Sequence, residues 1–150
     1  MSDLTTAPVT VPAVSADLHA SVQQFYAHHM QMLDDGRVES WAQGFTEDGV
    51  FAADGHPHPA TGREQIVAGA SRTVAQLAEQ GISRRHWLGM IAITPGDGVV
   101  RARSYAIVYQ ITAADGASIR SSTTCEDVLV PDGRGSWLIR HRYVRQDVPA

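Results

Sequence analysis

The second half of the chain limits the fold more than any other feature. From about residue 83 onward, four long strand-like runs follow one another, at about 83–94, 98–113, 117–130 and 136–147. Between them stand Pro95-Gly96-Asp97-Gly98, Ala114-Asp115-Gly116 and Pro131-Asp132-Gly133-Arg134-Gly135. Gly and Asp accept the backbone angles that tight reversals need, so these segments read as turns joining antiparallel neighbours. Strands this long accumulate twist, and the sheet they form is expected to curl.

A curled sheet leaves a concave apolar face, and the first half of the chain supplies its cover. Leu18, Val22, Phe25, Tyr26, His29 and Leu33 recur at helical spacing. Ser15 or Asp17 can cap the start of that helix, and Gly36 can end it. Val38, Trp41, Ala42 and Phe45 fit a second, short helix. Gly49 to Ala53 reads as a short strand, and Asp54 to Pro59 as a Pro-rich loop. Thr61 and Glu64 fit a capping box for a third helix, whose stripe is Ile66, Val67, Ala70, Val74, Leu77 and Ala78, with Gly81 as its stop. Residues 1–14 contain Pro8 and Pro12 and read as an extended arm. Its Val9, Val11 and Val14 are expected to lie on the body or on a partner subunit. Residues 15–150 read as one domain. Helices followed by antiparallel strands predict an α+β fold in which three N-terminal helices pack on a strongly curved, mostly antiparallel sheet.

The 150 residues are 43% hydrophobic, enough for one buried core without disulfide staples. A lone cysteine, Cys125, excludes an internal disulfide and suits a reducing compartment. The net charge of −4 and the lack of a basic stripe argue against a nucleic-acid partner. No apolar run approaches the roughly 20 residues that span a bilayer, and the N-terminus has no signal-like pattern; the reading is a cytoplasmic protein with no membrane partner. There is no Gly-rich phosphate loop, no Gly-x-Ser-x-Gly elbow and no nucleophile triad. His56-Pro57-His58 lacks a suitably spaced third ligand, so no metal is expected. Proton transfer without a cofactor is the chemistry that remains.

Several segments resemble one family. Phe25-Tyr26, Leu33-Asp34-Asp35-Gly36, Trp41 and Phe45-Thr46-Glu47-Asp48-Gly49-Val50-Phe51 resemble the opening of SnoaL-like domains of the NTF2-like superfamily. Gly62-Arg63-Glu64-Gln65-Ile66 is similar to their third helix, Arg85-His86-Trp87-Leu88 to the start of their first long strand, and Glu126 to Leu129 with Trp137 to Arg142 to their terminal hairpin. The resemblance spans about residues 18–147 and implies a cone enclosing a small-molecule ligand. It does not select one reaction: the superfamily holds polyketide cyclases, scytalone dehydratase-like enzymes, isomerases, epoxide hydrolases, non-catalytic dioxygenase β subunits and plain binding proteins. It also implies a homodimer through the open sheet face.

Candidate site residues follow from the residues and the resemblance together. Asp34 stands at the C-terminal end of the first helix, where the helix dipole disfavours a carboxylate, although Asp-Asp-Gly is also ordinary turn chemistry. In dehydratase-like members an aspartate at this place faces the pocket, and a histidine after Arg at the strand start hydrogen-bonds it. The resemblance therefore implies a catalytic pair, Asp34 and His86. Strand alternation puts Arg84, His86, Leu88 and Met90 on one face and Arg85, Trp87, Gly89 and Ile91 on the other, and does not say which is inner. Such relatives often carry a second histidine on the next strand. None is present here, and Tyr109 is the expected stand-in as a phenolic donor. SnoaL-type cyclases use a late-strand aspartate, which makes Asp127 a reserve acid–base group. Arg142, if it faces inward, can hold an anionic or enolate oxygen. Phe25, Tyr26, Trp41, Phe51, Trp87, Met90 and Tyr109 are expected to line the pocket.

Two functions fit these residues. The first is a cofactor-independent acid–base enzyme, a cyclase, dehydratase or isomerase acting on a polyketide-like or other small cyclic substrate. The alternative is a non-catalytic binding or accessory subunit.

Overall fold

Ser15 accepts a hydrogen bond from Leu18 N–H at 3.1 Å and so satisfies one of the free donors at the start of α1, Ala16–Asp34. This is one of nine elements in a computed structural model that describes residues 7–8, 10–11 and 13–148. The others are α2 (Val38–Ala42), β1 (Phe45–Ala53), β2 (Ala60–Thr61), α3 (Arg63–Glu79), β3 (Ser83–Gly96), β4 (Val99–Thr112), β5 (Gly116–Pro131) and β6 (Trp137–Gln146). Of the N-terminal arm, Val9 and Pro12 lie outside the described residues. Val11 is exposed, and Val14 packs against the core.

The six strands form one sheet in the order β2-β1-β6-β5-β4-β3. All pairs are antiparallel except β1 with β6. The α+β architecture is as predicted, and the four long strands begin and end within a few residues of the turn signals. Two local expectations fail. Phe45 opens β1 instead of closing α2. The capping box does not form either. Thr61 belongs to β2, paired with Val50, and the residue before α3 is Gly62 with a φ of +83°. Gln65, not Glu64, reaches back, accepting Thr61 N–H at 3.0 Å.

The core lies between the helices and the concave sheet face. Phe45, Leu129, Ile139 and Val22 are fully buried there, with Trp41 and Ile66 nearly so. Two β-bulges decide which side chains reach it. On β3 the pairing steps from Gly89–Tyr105 to Ala92–Arg103, which leaves one residue too many on β3. Met90, with a φ of +50°, takes up the excess and is thrown outward. Leu88 before the bulge and Ile91 and Ile93 after it therefore all pack inward. On β6 the pairing steps from Val128–His141 to Leu129–Ile139, and Arg140 is the extra residue. Ile139 and Arg142 both turn inward as a result.

Candidate active site

A cavity of about 1030 Å³ opens between the C-terminal end of α1, the length of α3 and the concave face of β3 to β6. Leu33, Trp41, Phe51, Ile66, Leu88 and Val108 supply much of its apolar wall. Asp34 and His86 are part of the same wall.

The two meet directly. Asp34 is the last residue of α1, and its side chain is 5% exposed. Its Oδ1 lies 2.6 Å from His86 Nδ1, and its Oδ2 accepts the His86 backbone N–H at 3.0 Å. A nearly buried carboxylate at the negative end of a helix is costly, and two donors from one residue offset that cost. They also fix the ring. An ionised carboxylate only accepts, so Nδ1 carries the proton and Nε2 is the nitrogen left for a ligand. The His86 side chain is 24% exposed, open to the cavity yet held by its carboxylate.

A second polar cluster sits beneath this one, and it is closed. Arg142 donates to both oxygens of Asp127, from Nε at 2.8 Å and Nη2 at 2.7 Å, and Tyr26 O–H donates to Asp127 Oδ2 at 2.7 Å. The Arg142 and Asp127 side chains are 4% and 1% exposed. Burial, and then the Asp127 charge, push the Tyr26 phenol well above its ordinary pKa. Burial pushes the Cys125 thiol up to about 12. For Arg142 burial works against the charge, but Asp127 outweighs it and holds the guanidinium above its ordinary value. This is a buried ion pair with its main hydrogen-bonding capacity used internally. Asp127, the reserve acid–base candidate, thus lies inside this cluster with both oxygens accepting hydrogen bonds. Arg142 does reach the cavity wall, but with its charge already matched. Tyr26 serves this cluster from the core and does not line the cavity.

Three further lining expectations fail for one reason, the face of the sheet. Trp87 is 65% exposed and Met90 77% exposed. Tyr109 stands opposite Arg85, an exposed neighbour of Trp87, so it shares their outer face. Val108, one residue away, turns into the cavity, as does Ala106. Trp41 and Phe51 line it as expected, and Phe25 packs at the edge of the core instead.

Helix α1 also buries a histidine that the sequence reading leaves without a role. His29 donates from Nε2 to the Trp41 carbonyl at 2.8 Å and stacks between Phe25 and Trp41. Burial, and then the charge of Arg142, lower its pKa to about 3, so it is a neutral packing element. Gly44 carries the sequence signal for it, since a Cβ there would lie 2.5 Å from His29 Cδ2. Arg84, which the sequence reading leaves without a role, shares a face with His86 and lines the cavity. His56 and His58 stand at the cavity rim. Among the described residues no three His, Cys, Asp or Glu side chains converge as metal ligands.

The SnoaL-like domain model matches residues 14–143. A structure from Catenulispora acidiphila in complex with S-DNPA is 38% identical, with a TM-score of 0.77, over 89% of this chain and 96% of that one. ActVI-ORFA from Streptomyces coelicolor is 33% identical, with a TM-score of 0.82, over 91% of this chain and 99% of that one. An NTF2-like protein with a cystatin-like fold from Novosphingobium aromaticivorans is 20% identical, with a TM-score of 0.75, over 88% of this chain and 83% of that one, a likeness of fold alone. A comparison with curated proteins returns no significant match. Matched over nearly its whole length, and with the helices and curved sheet of an NTF2-like fold, the chain belongs to the SnoaL-like domain family.

Proposed function

We propose that this chain is a cofactor-independent acid–base enzyme that cyclises, dehydrates or isomerises a small cyclic, polyketide-like substrate inside the cavity. The observation that carries the reading is the contact of Asp34 with His86 Nδ1 in the cavity wall. His86 Nε2 takes a proton from a carbon beside a carbonyl, and the Asp34 carboxylate stabilises the imidazolium that forms. The imidazolium then returns the proton to a departing hydroxyl, which leaves as water, or to a carbonyl oxygen as a ring closes. Apolar walls keep competing water away from the enolate. A relative described in complex with S-DNPA supports a ligand-holding domain.

The same reading includes a homodimer through the outer sheet face. Trp87, Tyr105 and Ile119 present large apolar surfaces there, at 65%, 48% and 65% exposure. Large apolar side chains exposed on one sheet face call for cover.

The test is proton exchange, which precedes any product. A panel of cyclic β-hydroxy ketones is incubated with the protein in deuterated water and analysed by mass spectrometry. The expected result is deuterium at the carbon beside the carbonyl with the native chain and none above background with Asp34→Asn. No exchange above background with the native chain would leave a container without this chemistry, and equal exchange by both proteins would remove Asp34 from it.

A further inference from the structure

The sheet side of the cavity carries small side chains where its long strands cross it. His86 stands level with Val108 and Ser121, and Leu88 stands level with Ala106 and Thr123, one step further along the inner face. Cys125 follows on β5, and both Cys125 and Arg142 border the same cavity. Four strand residues separate Ser121 from Cys125, about 13 Å. The cavity therefore runs on past His86, and Ala106 and Thr123 stand midway along that path. Both are buried, at 8% and 3% exposure.

In a close-packed interior, the space above small side chains is filled by a neighbouring element. Here it stays open. Helix α1 packs against β3, and α3 packs against α2, β1 and β2, while Ala106 and Thr123 face the cavity. This stretch also offers a ligand little polarity. Thr123 Oγ1 donates to the Ala106 carbonyl at 2.7 Å, so its proton is engaged with the neighbouring strand. Arg142 is already matched by Asp127. What remains to discriminate between ligands is volume. We infer that Ala106 and Thr123 are specificity-determining residues: by keeping open the passage from His86 to the Cys125 end, they set the length of ligand that the cavity accepts. This rests on the cavity being the ligand site, as argued above, but not on Asp34 and His86 being catalytic.

The experiment titrates two probes with the same end groups, 4-hydroxyacetophenone with one ring and 6-hydroxy-2-acetonaphthone with two, into the native chain, Ala106→Leu, Thr123→Leu and Thr123→Val. NMR spectra report affinity and, through their amide dispersion, whether each variant is folded. The native chain is expected to bind the two-ring probe about tenfold or more tightly, the range that added apolar bulk supplies in a pocket able to hold it. In Ala106→Leu and Thr123→Leu that preference disappears while one-ring affinity is unchanged. Each variant tests the same passage from a different strand, so one that fails to fold leaves the other to decide. Thr123→Val keeps the volume without the hydroxyl and retains the preference, which separates size from hydrogen bonding. Equal binding of the two probes by the native chain overturns the size selection alone. So does a preference that survives in a folded leucine variant or is lost in Thr123→Val, and so does equal loss of both probes in a folded leucine variant. Failure of both probes to bind the native chain overturns the ligand-cavity reading and the size selection with it.

Discussion

Asp34 holds His86 twice, through the ring at 2.6 Å and through the backbone N–H at 3.0 Å. One carboxylate thereby sets both the strand position and the ring tautomer. Replacing either residue removes the same unit, so the effects should not add. Asp34→Asn and His86→Gln are each expected to lower turnover about 10²- to 10⁴-fold, and the double variant no further. Steady-state kinetics on the three proteins checks this, and a multiplicative loss in the double variant would mean that the residues act separately.

The buried pair beneath the cavity gives a stability prediction of opposite character. Asp127→Ala leaves Arg142 charged and unpaired in a dry site, and is expected to cost about 3–5 kcal/mol. Asp127→Leu combined with Arg142→Met removes both charges and should recover most of that loss. Urea unfolding measures both. Equal destabilisation by the single and double changes would show that packing, not charge, governs this site.

Gly44 and His29 are in mutual close approach. A methyl group at Gly44 would lie 2.5 Å from Cδ2 and 2.6 Å from Nε2 of His29. Gly44→Ala is expected to destabilise by about 1–3 kcal/mol, as overpacking does. In a His29→Ala background the same change should be nearly neutral, a coupling that a double-mutant cycle reads directly.

His29 also predicts how stability depends on pH. Its folded pKa is about 3, below the ordinary 6.5. The unfolded chain therefore binds a proton that the folded chain refuses over the range between those two values. Its contribution is fully present above about pH 6.5 and is lost as pH falls toward 3, with a slope of up to about 1.4 kcal/mol per unit. Chemical denaturation at pH 7, 6, 5 and 4 should show this slope in the native chain, and a flatter dependence in His29→Gln.

The outer sheet face offers a test of assembly. Trp87 lies over Gly89, with Nε1 2.9 Å from where a Cβ would stand, and is still 65% exposed. Trp87→Asp with Ile119→Asp should shift sedimentation from dimer to monomer without changing the secondary structure seen by circular dichroism. A native chain that sediments as a monomer at micromolar concentration would remove the dimer from the proposal.

Much of this molecule can be read from the order of its residues. The Ser15 cap, the helical stripe from Leu18, and the turns at Pro95, Ala114 and Pro131 are local signals, so the element order and the length of the strands follow from them. The pairing of Asp34 with His86, 52 positions apart, is not local. It was legible only through the likeness to a family, and the contact is present in the structure. The α3 cap was misread because Thr61 is a strand residue, a commitment set by its distant partner Val50.

Local periodicity cannot say which face of a strand is inner, nor where one extra residue will exchange the faces. The bulge at Met90 turned that side chain out, and the bulge at Arg140 brought Ile139 and Arg142 in together. The inward choice on β3 left Trp87 and Tyr109 outside and put Arg84 in the cavity wall, while the β5–β6 register set Arg142 opposite Asp127. Element identity thus came from short-range chemistry that neighbouring residues carry themselves. The lining of the cavity came from sheet register and packing against distant elements, because a shift of one residue reverses every side chain that follows.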